Sequence, residues 1–284
     1  MRQLCFLLLA VLISSATLAE PSQSVAPQTV EISSGGLRLK AFLWKPAGPG
    51  PFPAVVFNHG RSNTPQQHTR NLTITAAAQV LGPVFVKHGY VFLYLFRRGE
   101  GLSADQGLFI GDILQREEAA KGPDARKHLQ LVLLTTDHLD DASAGLSFVK
   151  GLPYVDAHRI AVAGHSFGGQ LTLLVAALDS TVRAAVAFAP AAGSWDGSSE
   201  LRERMLVTVR KLTVPVMLLQ AGNDYSLAPS QAMADELSRL SKANVRKIYP
   251  PIGETANDAH NFLYTDVTLW EQDVFAFLDG NVRR

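Results

Sequence analysis

From residue 54 onward the chain alternates two kinds of apolar segment. Short, solidly apolar runs at 54–57, 91–95, 160–163, 184–188 and 214–219 present no polar face. That is the pattern of strands buried on both sides, as in a parallel sheet. Between them lie amphipathic stretches with helical spacing, around 75–88, 135–150, 167–178, 201–212 and 230–240. A strand at 245–249 and a helix at about 266–278 close the series. Ahead of it, residues 30–32 and 37–43 alternate apolar and polar positions around Ser33-Ser34-Gly35-Gly36, which predicts an antiparallel hairpin. The whole pattern predicts an α/β fold: a mostly parallel, doubly wound sheet with an antiparallel N-terminal edge. In such sheets ligands sit at the carboxyl ends of the strands.

Two stretches depart from the alternation. Residues 103–126 mix Asp112, Arg116, Glu117, Glu118 and Lys121 with Gly107, Gly111 and Gly122-Pro123. They are expected to form an excursion over the active face, either a small lid or a surface loop with one short helix. The N-terminus begins Met1-Arg2-Gln3, continues as an apolar run over 4–13 and ends in small residues through Thr17-Leu18-Ala19. This predicts a cleaved signal peptide at 1–19, since the apolar run is too short to span a bilayer. A single domain, 20–284, would follow, secreted or periplasmic and without a membrane anchor after cleavage. Cys5, the only cysteine, lies inside the leader, so the remainder would rely on core packing alone.

Hydrophobic residues make up 47% of the chain and charged residues 18%, with a net charge of +1. No basic stripe interleaved with aromatics is present, so neither nucleic acid nor an anionic membrane is an expected partner.

The chemistry concentrates after the strand at 160–163, in Gly164-His165-Ser166-Phe167-Gly168-Gly169. A buried strand, a sharp turn carrying a serine and an immediate apolar helix together make a nucleophile elbow. Gly164 and Gly168 stand where side chains would collide with the tight turn. The helix directs its positive end at Ser166 and so favours an anion forming there. A serine hydroxyl needs a base to take its proton, and that base needs a carboxylate to orient it. The order expected in this architecture is serine, acid, histidine. Asp224 ends the apolar strand after Gly222-Asn223, and His260 lies between the last strand and last helix in Asn257-Asp258-Ala259-His260. Asp258 competes as the acid, but two residues from His260 it is better placed to shape the loop. The oxyanion donors expected are the backbone N–H groups of Phe167 and of Arg61, the latter in the turn Asn58-His59-Gly60-Arg61-Ser62. Trp195, Tyr225 and Phe109 fall near strand ends or in the excursion and are candidates to line a substrate pocket. Arg97 and Arg98 are candidates to meet an anionic substrate, Arg98 better read as bracing its turn. The remaining histidines, His68, His88, His128, His138 and His158, read as solvated. No histidine pair has metal-ligand spacing, so neither metal nor cofactor is expected.

These segments, with Phe96-Arg97-Arg98-Gly99-Glu100-Gly101-Leu102-Ser103, are similar to those of the α/β-hydrolase superfamily, in its dienelactone-hydrolase-like serine esterase branch. The residues from Phe96 resemble the Arg-Gly-x-Gly-x-Ser turn of that family. The resemblance implies an α/β-hydrolase fold and a Ser166–His260–Asp224 triad that cleaves a small-molecule carboxylic ester through an acyl-enzyme. The founding members carry cysteine where this chain has Ser166, which points toward ordinary ester hydrolysis. The Gly-x-Ser-x-Gly-Gly form also resembles the catalytic domains of prolyl-oligopeptidase relatives, so a serine peptidase or amidase is the alternative enzyme. A non-hydrolytic binding protein on the same fold is the alternative of another class.

Overall fold

The computed structural model describes residues 26–69 and 71–283; the predicted leader, 1–19, lies outside them. The described residues form ten strands: β1 (Gln28–Ser34), β2 (Leu37–Trp44), β3 (Phe52–Asn58), β4 (Gln67–Thr69), β5 (Leu72–Thr73), β6 (Val91–Leu95), β7 (Val155–His165), β8 (Ala184–Phe188), β9 (Val216–Ala221) and β10 (Asn244–Tyr249). The α-helices are α1 (Ile74–Lys87), α2 (Ile110–Lys121), α3 (Pro123–Thr135), α4 (Asp137–Lys150), α5 (Phe167–Leu178), α6 (Ser199–Lys211), α7 (Ala228–Arg239), α8 (Ala256–His260), α9 (Phe262–Thr265) and α10 (Val267–Val282).

Eight strands form one sheet in the order β1-β2-β6-β3-β7-β8-β9-β10. The β1–β2 and β2–β6 pairs are antiparallel, and every later pair is parallel. The predicted α/β architecture with its antiparallel N-terminal edge is the one observed. Its central strands β6 and β8 are buried at every position, as their unbroken apolar runs require. The edge strand β10 instead alternates half-buried and exposed positions until its last residue, the buried Tyr249.

Each face of the sheet carries its own core. On one, Leu146 of α4, Leu171 of α5, Met205 of α6 and Leu237 of α7 pack over Val56, Leu93 and Val162. On the other, Leu81 and Phe85 of α1 join Trp270 and Phe275 of α10 over Phe57, Phe92 and Val186. With helices on both faces, the loops at the carboxyl ends of β3, β7 and β9 open at one rim, where the chemistry-bearing residues lie.

Three local outcomes differ from the pattern-based expectation. The excursion at 103–126 carries two helices, α2 and α3, and the second runs on to Thr135. Pro123 opens α3, where a missing N–H costs nothing. The hairpin β4–β5 precedes α1 and was invisible as a strand pattern because it pairs only a few residues. The connection carrying His260 is two short helices, α8 and α9, rather than a loop.

Helix α1 meets the sheet at a tight contact: a Cβ on Gly82 would sit 2.3 Å from the Trp44 indole carbons. Both elements are fixed by the surrounding core. Gly82→Ala is therefore expected to destabilise the fold by about 1–3 kcal/mol, the usual cost of overpacking a filled core. Denaturant unfolding checks this, and an unchanged midpoint would contradict the packing described.

Candidate active site

Strand β7 ends at His165 and α5 starts at Phe167, leaving Ser166 alone at the junction. Its backbone adopts φ 55° and ψ −115°, a conformation that costs a non-glycine residue on the order of 1–3 kcal/mol. Neighbouring elements impose it. The Ser166 N–H donates to Phe188 O at the end of β8 (2.8 Å), and its carbonyl accepts from Gln170 N–H in α5 (3.1 Å). The turn closes only because the flanking residues lack side chains. A Cβ on Gly164 would lie 2.4 Å from Gly168 O, and one on Gly168 would lie 1.9 Å from Asn58 O.

Strand β9 delivers Asp224 to the same rim. Its carboxylate is buried, with Oδ1 accepting from Tyr225 N–H (2.7 Å) and Oδ2 from Gln220 Nε2 (2.8 Å). His260, the last residue of α8, places Nδ1 2.8 Å from Asp224 Oδ1. A carboxylate here can only accept, so the imidazole proton sits on Nδ1 and Nε2 keeps its lone pair. Asp258 has a different task. It accepts from the Thr255 N–H and hydroxyl in a capping box that starts α8, the helix presenting His260.

Ser166, His260, Phe167 and Arg61 all line one cavity of about 390 Å³. No hydrogen bond joins Ser166 Oγ to His260 Nε2 among the described contacts; such bonds commonly tighten only once substrate is bound. Phe167 is the first residue of α5, so its N–H has no partner within the helix. Tyr225, half exposed, also lines the cavity and sets its ring edge-on to His260, with centroids 5.1 Å apart.

Other expected pocket residues are not there. Trp195 is buried in the core beneath the turn that follows β8, and Phe109 is buried at the start of α2. Both rings are consumed by packing, and neither lines the cavity. Arg97 cannot meet a substrate either, because it is fully buried. Arg98 braces its turn as expected, bonding the Asp141 carboxylate at 2.7 and 2.9 Å. His68 and His138 are not solvated. His68 is enclosed edge-on to His165 and Tyr264, and His138 edge-on to Phe167.

The sequence reading missed most of the cavity wall. Helix α3 supplies Arg126, Lys127, Gln130, Leu131 and Leu134, the turn into α6 supplies Ser194 and Ser198, and α6 itself supplies Leu201. The leucines at 129, 131, 133 and 134 mark an apolar segment, but not what it covers. Among the described residues no group of three or more His, Cys, Asp or Glu side chains is placed to hold a metal.

A sequence profile of the dienelactone hydrolase family matches residues 102–266, more than half of the chain. The chain belongs to the dienelactone hydrolase family. It is 27% identical over 187 residues to the quorum-quenching protein AidA of Acinetobacter baumannii (strain MDR-ZJ06), covering 66% of this chain and 50% of that protein. The chain spans about half the length of the curated relatives it matches. In structure it is similar to an acylaminoacyl peptidase of Pyrococcus horikoshii, with TM-score 0.65, 16% identity, and coverage of 93% of this chain and 43% of that one. It is also similar to a dienelactone hydrolase of Anabaena variabilis, with TM-score 0.59, 18% identity, and coverage of 90% and 99%. At these identities the structural likeness is one of fold, the α/β-hydrolase fold.

The buried histidines carry a pH signature. Burial, reinforced by nearby Arg97, lowers His68 and His138 from 6.5 to about 3. The unfolded chain then binds the extra protons between those values. Stability is retained above pH ~6.5 and falls as pH drops toward ~3, by up to about 1.4 kcal/mol per pH unit for each histidine. Urea midpoints followed from about pH 7 to about pH 4.5 should decline, and His138→Phe should make the decline shallower. Parallel declines in the two proteins would argue against a neutral, enclosed His138.

Proposed function

We propose that this chain is a serine hydrolase that cleaves small or medium carboxylic esters through an acyl-enzyme. Ser166 is the nucleophile, His260 the base and Asp224 the orienting acid. One observation carries the reading: a strained serine at a strand–helix junction shares a cavity with an imidazole whose Nδ1 is committed to a buried carboxylate. That commitment leaves Nε2 free to take the hydroxyl proton as Ser166 attacks the ester carbonyl. The resulting oxyanion is met by the Phe167 and Arg61 N–H groups and by the positive end of α5. His260 then returns the proton to the leaving alcohol, and water repeats the sequence to release the acid. Leu131, Leu134 and Leu201 give the cavity an apolar wall suited to an acyl or aryl group. We further propose that residues 1–19 direct secretion or periplasmic export and are removed, leaving 20–284 as the working domain.

A fluorophosphonate probe should label the wild-type protein at Ser166, and p-nitrophenyl acetate should be turned over. Ser166→Ala is expected to lower kcat by roughly 10⁴ or more. Asp224→Asn should lower it by about 10⁴ through the wrong imidazole tautomer, with the fold retained. Near-wild-type turnover by Ser166→Ala would end the assignment. Faster cleavage of acyl-p-nitroanilides than of matched esters would replace it with an amidase.

A further inference from the structure

Directly beneath the turn that carries Arg61 lies an ion pair that the chemistry above does not use. Arg97 and Glu100 are both fully buried and meet at 3.1 Å (Nη2 to Oε2). Their remaining side-chain bonds go to that turn. Arg97 Nη1 donates to His59 O (2.7 Å), Arg97 Nη2 donates to Gly60 O (3.2 Å), and Glu100 Oε1 accepts from Ser62 N–H (3.1 Å). The His59 ring sits in the same network: its Nδ1 lies 2.7 Å from Gly60 O and 3.0 Å from Arg97 Nη2, and the Arg97 backbone N–H approaches its Nε2 at 3.4 Å. Burial, then the Arg97 charge, holds His59 well below its ordinary pKa, so the ring stays neutral beside the guanidinium.

These bonds fix a direction. In a trans peptide the C=O and the following N–H point opposite ways. With Gly60 O drawn inward by Arg97, the Arg61 N–H faces outward, and it has no protein acceptor among the described residues. Ser62 N–H, the next donor along, is already held by Glu100. The same guanidinium lies 5.5 Å from the Phe167 ring centroid, on the residue that bears the other donor. Resting on the hydrolase reading above, we propose that the buried Arg97–Glu100 pair is a positioning device that aims the Arg61 N–H at the developing oxyanion.

The test uses the full-length protein and the conservative variants Glu100→Gln and Arg97→Lys. A glutamine offers one acceptor where Glu100 uses two, so either Ser62 N–H or Arg97 is released. Turnover of p-nitrophenyl acetate should fall by about 10²-fold in kcat, toward the loss seen on removing one oxyanion donor, with KM within about threefold. Affinity for an aryl trifluoromethyl ketone, which forms a tetrahedral oxyanion on Ser166, should fall comparably, while fluorophosphonate labelling still goes to Ser166. Should neither variant fold, the wild-type protein supplies the second measurement. On binding the trifluoromethyl ketone, the Arg61 amide proton should move strongly downfield in NMR spectra. Folded variants with kcat within twofold of wild type, or an Arg61 amide unmoved by the ketone, would overturn the proposal. A wild-type protein that neither turns over esters nor reacts with the probe would instead overturn the hydrolase reading itself.

Discussion

The site depends on a single steric constraint at the crossing of β3, β7 and α5. At Gly168 the α5 backbone passes so close to Asn58 O that even a methyl group is excluded, and Gly164 is closed off by Gly168 O and the Thr172 hydroxyl. That closeness lets the chain turn from strand to helix at one residue. It also leaves Ser166 no choice but its positive-φ conformation, since bonds to Phe188 and Gln170 hold both sides of the turn. A strained residue persists only when its surroundings over-determine it. Here the surroundings are the sheet itself, and the same contact brings the β3 turn, with Gly60 and Arg61, against Ser166.

The other groups are organised as supports behind supports. Asp224 is pinned by Gln220 and Tyr225 before it engages His260. His260 ends a helix whose start is fixed by Asp258, and its backbone carbonyl accepts from Nε2 of the buried His165. The turn bearing Arg61 sits on Arg97 and Glu100. Burying that pair is costly, and apart from the bond between them its side-chain bonds go to His59, Gly60 and Ser62, while Arg97 Nε has no partner among the described residues. Reactive groups placed on rigid elements with such backing retain their geometry without substrate to organise them.

Much of this was legible in the chain. Apolar runs without a polar face located the buried strands, because a strand covered by helices on both sides tolerates little else. The elbow was legible because its glycines answer to local sterics, and Asp224 and His260 because a fixed topology returns successive strand ends to one rim. Less legible were residues whose role depends on distant neighbours. Arg97 read as a candidate to meet an anionic substrate, and only the fold buries it with Glu100 against His59 and Ser62. His68 and His138 likewise seemed solvated until packing against His165, Tyr264 and Phe167 enclosed them. Trp195 follows a strand end and Phe109 lies in the excursion, yet both rings turn into the core.

The amino-acid order by itself determined the strand–helix alternation, the antiparallel edge, the serine turn and the sequence in which Ser166, Asp224 and His260 arrive. Those are properties of periodicity and of backbone sterics over a few residues. Tertiary structure alone decided which side chains reach the cavity, that α3 and the turn into α6 form its wall, and which charges are buried beneath it. Solvent access and side-chain direction are set by segments far apart in the chain closing on one another, and no local pattern encodes that contact.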